Sequence, residues 1–411
     1  MASDAALAKV GKHSAALRAA LGLAVDAVRG ARLTEPEHTD AAWVIGRSPG
    51  TLLKAREIKA VGLTRRLNPA QAFSIDYVTT DAAGRTLTAT GAVFFSRTPW
   101  GGAGPRPTIA FAPSTQGVAA RCDPSYSCTI GLAPRFAPLD LIAAYEQPAI
   151  ALMLARGANV VLTDYPRDPA DRVQLYCDHT AAAQSLIDAT RAASHLPLDT
   201  NVLGLWGFSQ GGGAVGAWLE RPEYAPELQP LAAVCGAPPA ALIPMLDHVD
   251  GALPSIVILY AVAGLVAHHP RVAEELVPHL SPAGAAAIVE NAQVCAVGAA
   301  LRRPWAHTTA WTREGIGMAE LLDALPHTAE VLERQALGSR RPVRIPLRLW
   351  ASLHDDIVPY PLVHDLAEQW GVGLQTRRLP RLPGRTGLNH YGPYFQHLTR
   401  DVEWLLRQLG R

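Results

Sequence analysis

The sequence predicts an α/β architecture: a mostly parallel sheet, doubly wound, that is interrupted by a helical insertion and then completed. Three observations carry this reading. From about residue 106 onward, short β-rich apolar runs alternate with segments of helical period, the pattern of parallel strands joined by crossover helices. The strand signal disappears between about 241 and 340 and then resumes. One apolar run, beginning at Asn201, climbs into Gly207-Phe208-Ser209-Gln210-Gly211 and passes into a segment rich in glycine and alanine. A serine therefore stands between glycines where a buried strand becomes a helix.

In chain order, residues 1–68 read as an N-terminal helical segment of one or two helices and a linker. Asp4, Lys9, Lys12, Arg18, Asp26 and Arg29 are scattered among the first alanines. No uninterrupted apolar stretch of signal-peptide length results, so this part reads as an amphipathic helix, and either the chain as written is cytoplasmic or a leader has been trimmed or mispredicted. FSIDYVTTDAAGRTLTATGAVFFS (73–96) gives two β-rich runs about a DAAGR turn, a hairpin signal. Strands follow at 106–114 and 158–166, with helix expected between them over LDLIAAYEQPAIALMLARG. A helix is expected over 174–196, strands over 201–209 and 228–240, and only helices from 241 to 340. VRIPLRLWASL (343–353) resumes the sheet; a helix at PLVHDLAEQWG, a strand at VGLQTRRL and a closing helix at YFQHLTRDVEWLLRQLG complete it. The core is thus expected at 69–240 and 341–411, with 241–340 inserted.

Composition bounds the function. Of 411 residues 49% are hydrophobic, enough for a large core, and 37 basic residues against 36 acidic leave a net charge of +1. That balance supplies no electrostatic footprint for nucleic acid or an anionic membrane. The five cysteines form no CxxC pair, which argues against a structural zinc site, and their odd number leaves at least one thiol free. The longest apolar patch, ALPSIVILYAVAGLVA (252–267), is broken by Pro254 and Gly264 and falls short of the roughly 20 residues of a bilayer span. It reads as a buried or ligand-facing helix.

The chemistry gathers around Ser209. In a G-x-S-x-G turn the glycines are small because the chain passes close to its neighbours, the serine hydroxyl is lifted out of the sheet, and the following amide, here that of Gln210, opens a helix toward whatever the serine attacks. A serine hydroxyl needs a base, and the base an orienting carboxylate, arranged in this fold as Ser, acid, His along the chain. LRLWASLHDDIVPY offers Asp355 and Asp356 just after a late strand. Asp355 is preferred because Asp-x-Ile-Val-Pro is the loop shape that carries this acid; Asp356 is then expected to face solvent or cap the next helix. His390 is the one histidine of RLPGRTGLNHYGPYF, between the last strand and the closing helix. His354, His268, His269, His307 and His327 are read as structural or surface residues. A second oxyanion donor beside Gln210 is expected from APSTQGVAARCDPS, at Thr115 or Gln116, with Gly117 freeing the backbone to turn.

With these residues in place, the chain resembles the secretory lipases, the lipase A-like branch of the α/β-hydrolase fold. PGTLLKAREI, SIDYVTTDAAGRTLTATGAVFFSRTPW, PSTQGVAARCDPS, VVLTDYP, WGFSQGGGA, YAPEL, HDDIVPY and NHYGPYF carry the resemblance in that order, over roughly 50–411. It implies hydrolysis of small-molecule or lipid acyl esters, without metal or cofactor, through Ser209, Asp355 and His390. It implies that 241–340 caps an acyl pocket with 252–267 as one wall, that Cys122 and Cys295 pair in a disulfide, and that the protein is secreted. The chain departs from the family pattern at Pro113-Ser114-Thr115, where His-Gly-Thr is usual, and at Cys122-Asp123-Pro124-Ser125, where Cys-Ala-Pro-Ser is usual. The residues support a serine ester hydrolase first. An acyltransferase, thioesterase or cyclase using the same acyl-enzyme is the alternative, and a catalytically silent binding protein on this fold would have lost a triad member.

Overall fold

The computed structural model describes residues 41–63 and 68–410 together with Ala15, Ala19 and Leu23. The amphipathic helix expected near the N-terminus lies, those three residues apart, outside the described residues. Strands β1 (Leu52–Ile58), β2 (Ala70–Thr80) and β3 (Thr86–Ser96) form an antiparallel meander. Strands β4 (Thr108–Ala112), β7 (Asn159–Thr163), β8 (Leu203–Phe208), β9 (Pro230–Gly236), β10 (Leu347–Ser352) and β11 (Leu374–Arg377) run parallel to one another. Together they make a nine-stranded sheet in the order β1-β2-β3-β7-β4-β8-β9-β10-β11, with β3 antiparallel to β7 at the junction. β5 (Leu132–Phe136) and β6 (Leu139–Ala143) form a separate hairpin.

Six helices cover the sheet or build the site: α1 (Gln147–Ala155), α2 (His179–Ala193), α3 (Gln210–Glu220), α4 (Ile256–His268), α5 (Tyr360–Trp370) and α6 (Leu388–Leu409). The two-residue period of a strand explains how both sheet faces are covered. On β4, Ala110 and Ala112 join one apolar cluster with Leu186 of α2, Val215 of α3 and Leu366 of α5. Ile109 and Phe111, alternating with them in sequence, join the opposite cluster with Met153 of α1 and Leu405 of α6. Because both faces are covered, β4, β7 and β8 are buried throughout, and only Thr108, Asn159 and Thr163 at strand ends are polar.

Four expectations are corrected. The N-terminal segment does not stay helical to residue 68: Leu52–Ile58 is an edge strand paired to β2, with Ala55 opposite Ile75. An edge strand has only one neighbour and tolerates Lys54, Arg56 and Glu57, which in a single sequence imitate a helix. Leu139–Ala143 is strand rather than the start of a helix, its alternation of Asp140 and Ile142 inward being hidden by the long apolar run of α1 behind it. α2 begins only at His179, because the Asp178 carboxylate caps the Ala181 N–H. The closing helix begins at Leu388, so His390 lies in its first turn rather than ahead of it. From Ile243 to Glu333 the chain forms α-helices and short 3-10 turns, with a lone bridge between Leu280 and Thr312. No helix among the described residues is long and apolar enough to cross a membrane.

Candidate active site

Ser209 stands at the carboxyl end of β8, the edge of a parallel sheet where such folds present their chemistry. Its φ of 57° and ψ of −122° are an uncommon backbone conformation for a residue with a side chain. Close packing holds it there. A Cβ on Gly207 would lie 2.0 Å from the Gly211 carbonyl oxygen, and one on Gly211 2.0 Å from that of Ala112 on β4. The Ser209 N–H donates to the Gly236 carbonyl of β9 at 2.9 Å. Gln210 is the first residue of α3, and N–H groups in a first helical turn have no acceptor within the helix. Its side-chain amide is turned away, donating to Gln174 at 2.9 Å.

The acid and the histidine meet. The Nδ1 of His390 lies 2.7 Å from the Oδ2 of Asp355, and neither side chain is exposed. The other Asp355 oxygen accepts from the N–H groups of Ile357 and Val358, at 2.9 and 2.8 Å, which fixes the carboxylate plane. A carboxylate on Nδ1 holds the proton there and leaves the lone pair on Nε2. Nε2 is buried without a hydrogen-bond partner among the described residues. The imidazole lies on the ring of Phe208, the residue before Ser209, with centroids 4.5 Å apart. Phe208 is itself stacked on Tyr394 at 4.3 Å and on Trp350 at 5.3 Å.

Ser209 opens onto a cavity of about 430 Å³, within the range of small-molecule sites. Thr115 and Gln210 also line it, and the rest is largely apolar. Leu253, Ile256, Val257, Ile258 and Ala261, from the patch singled out in the sequence, form part of its wall. Of the two residues expected to supply the second donor, Thr115 reaches the cavity. Its carbonyl accepts from the Tyr145 hydroxyl, and its own hydroxyl bonds that of Tyr176 at 2.9 Å. Gln116 lies instead beside the disulfide between Cys122 and Cys295, its carbonyl taken by the Ala296 N–H at 2.9 Å. Gly117, at φ 124°, is packed so closely on that disulfide that a Cβ would lie 3.0 Å from the Cys122 sulfur.

Several functional neighbours were not foreseen. Glu146 is buried and accepts both the N–H and the hydroxyl of Ser114, at 2.6 and 2.5 Å, so it anchors the loop that carries Thr115. Burial pushes its carboxyl up, and the Ser114 donors hold part of that rise back. In the sequence Glu146 falls within the helix expected over LDLIAAYEQPAIALMLARG, where nothing marks it as a loop anchor. Asp356 neither faces solvent nor caps α5: it is buried and accepts from the Gly387 N–H at 2.9 Å and the Asn389 side chain at 3.2 Å. Asp123, where the chain departs from the secretory lipase pattern, pairs with the Arg167 guanidinium, so that departure is filled by a structural ion pair.

The chain is similar in sequence and in fold to known proteins. A family model described as "Secretory lipase" matches residues 138–381, more than half of the chain. The chain is similar to the "Secreted triacylglycerol lipase LIP3" of Malassezia restricta, at 30% identity over 264 residues covering 61% of this chain and 53% of that protein. It is also similar to the "Probable inactive lipase MT1628" of Mycobacterium tuberculosis, at 25% identity over 79% of this chain and 71% of that one. Among solved structures, Candida antarctica lipase A superposes with a TM-score of 0.71 at 18% identity, covering 93% of this chain and 98% of that one. The chain thus spans about half the length of the Malassezia lipase, while the likeness to the solved structure is one of fold.

Proposed function

Because the chain belongs to the secretory lipase family, we propose that it is a serine hydrolase of carboxylic acyl esters, in which Ser209 is the nucleophile, His390 the base and Asp355 the acid that orients it. One observation carries the reading: a serine in a strained elbow faces an apolar cavity of about 430 Å³ while the buried Asp355–His390 pair lies against the residue before it. In the proposed cycle Ser209 Oγ bonds to the acyl carbonyl carbon as its proton passes to His390 Nε2. Asp355 stabilises the imidazolium. The carbonyl oxygen takes the negative charge and is met by the Gln210 N–H and by a donor of the Thr115 segment. The C–O bond to the alcohol then breaks, with His390 returning the proton to the leaving oxygen, and water repeats the sequence to release the acid. The apolar wall supports an ester with a hydrocarbon acyl chain as substrate. A disulfide persists best in an oxidising compartment, so the Cys122–Cys295 bond supports export, in keeping with the secreted Malassezia relative.

The test is direct. A fluorophosphonate probe is expected to label the unaltered chain once, at Ser209, and p-nitrophenyl esters from short to long chain to be hydrolysed. Ser209→Ala is expected to lose the label and roughly 10⁴-fold or more of the turnover with the fold retained. A chain that takes no label and turns over no ester would make it a silent member of the family, and the reading would fall.

A further inference from the structure

We propose that Asp356 is a positioning residue for His390: it fixes the backbone that carries the imidazole while its neighbour Asp355 fixes the ring. The proposal rests on the reading of Ser209 as nucleophile and His390 as base. The two adjacent carboxylates leave the same turn after β10 and reach the same short segment, but they hold different parts of it. Asp355 takes the ring through Nδ1. Asp356, with a single oxygen, takes the Gly387 N–H and the Asn389 side-chain amide.

Those two partners are the ones that set the place of His390. Gly387 is the residue at which the chain turns into α6; its φ of 84° lies in the left-handed region, and the first helical turn comes directly after it. The His390 N–H donates back to the Gly387 carbonyl at 3.1 Å, so the imidazole is separated from the Asp356 anchor by a single hydrogen-bonded turn. Asn389 extends the anchor backward. Its side-chain oxygen accepts the Leu382 N–H and its amide donates to the Leu382 carbonyl, both at 2.8 Å, tying the incoming loop to the same carboxylate. Without Asp356 the Gly387 N–H would lose its buried acceptor and the Asn389 amide one of its two, leaving the turn held by the bonds of the His390 and Tyr391 N–H groups to the Gly387 carbonyl. Asp355 and the stacking on Phe208 orient the ring but do not fix the backbone on which it stands. A displacement of the base by about 1 Å is enough to cost on the order of 100-fold in rate.

The experiment compares Asp356→Ala, Asp356→Asn and Asn389→Ala in the full chain. It reads kcat and KM for a p-nitrophenyl ester, the pH dependence of kcat/KM, the rate of phosphonylation at Ser209, and the unfolding transition. Asp356→Ala is expected to lower kcat by about 10- to 100-fold with KM within about twofold, to lower the phosphonylation rate in parallel, and to displace the acid limb of the pH profile. Asp356→Asn is expected to restore kcat to within about fivefold, since one amide oxygen can accept both bonds that Oδ2 accepts. Asn389→Ala, which removes only the side-chain limb, is expected to fall between. A folded Asp356→Ala chain with unchanged kcat and pH profile overturns the proposal, and so does a loss in which KM rises in step and Asp356→Asn gives no rescue. Should Asp356→Ala not fold, a fully active Asn389→Ala chain overturns it. If Ser209→Ala or His390→Ala also retains turnover, it is the underlying reading that fails.

Discussion

At the scale of single residues, the site is a set of side chains each held by more than one partner. Asp355 bonds His390 through one oxygen and two backbone N–H groups through the other. Asp355→Asn keeps the shape and can keep the backbone bonds, but its amide would face Nδ1 with either a donor or a neutral acceptor, favouring the wrong tautomer and withdrawing the charge that supports the imidazolium. Its kcat is expected to fall by about 10³- to 10⁴-fold with an unchanged unfolding temperature, measured by steady-state kinetics beside a thermal scan. Gly211 fails differently. A methyl there would lie 2.0 Å from the backbone oxygen of Ala112, an atom that cannot move without disturbing the central sheet. Gly211→Ala is expected to lose folded protein, seen as a lowered melting temperature or as insoluble expression, before any question of rate arises.

At the scale of elements, the insertion is stitched to the loop that leads to His390. The Arg385 side chain donates to the carbonyls of His248 and Asp250, the Leu253 N–H donates to the Arg385 carbonyl at 2.9 Å, and Trp305 Nε1 donates to the Gly384 carbonyl at 2.7 Å. The chain leading into α4 and the loop leading to His390 are therefore tied to each other. α4 supplies the wall through Val257, Ile258 and Ala261. Val257→Trp would fill part of the cavity. It is expected to lower kcat/KM for long acyl esters at least about tenfold more than for acetate or butyrate esters, in a chain-length series on one leaving group. Equal losses on all chain lengths would mean that this wall does not receive the acyl chain.

At the scale of the molecule, the insertion closes on the core through a buried histidine. The His179 Nδ1 lies 2.8 Å from the Gln335 carbonyl, and the His179 N–H donates to the Gln335 side chain at 3.0 Å. Burial lowers its imidazole from the usual 6.5 to about 4. A group whose folded value is depressed contributes stability that is complete above its unfolded value and is lost as pH falls. His179 by itself is therefore expected to contribute stability that is full above about pH 7 and is lost between about pH 6.5 and 4, by roughly 3 kcal/mol. The Asp178 and Asp188 carboxyls, both raised to about 6 by burial, act in the opposite direction, so the unfolding midpoints in urea are compared with those of His179→Gln. His268, also lowered to about 4 by burial and by the Arg85 charge, adds in the same direction. His179→Gln is expected to flatten the slope; an unchanged slope would show that His179 does not control it.

Much of this was legible from the chain alone. The parallel sheet, the helical insertion, the elbow at Ser209 and the order Ser, Asp, His follow from local signals: strand and helix periods, glycines where the chain must pass close to itself, and acids and histidines at element ends. Such signals act over a few residues, so a single sequence carries them. The edge strand at Leu52–Ile58 was not legible, because its conformation is set by pairing with β2 rather than by its own propensity, and the hairpin at Leu132–Ala143 was not, because the apolar run of α1 directly behind it masks its alternation. Nor were the roles of Glu146 and Asp356. A buried carboxylate is defined by the donors around it, and Ser114 and Gly387 are 32 and 31 residues away along the chain. The sequence by itself determined the sheet, the elbow at Ser209 and which residues are proposed to carry the chemistry. Only the tertiary structure decided what holds them, since hydrogen bonds to buried charges join segments whose proximity exists only after the sheet has closed.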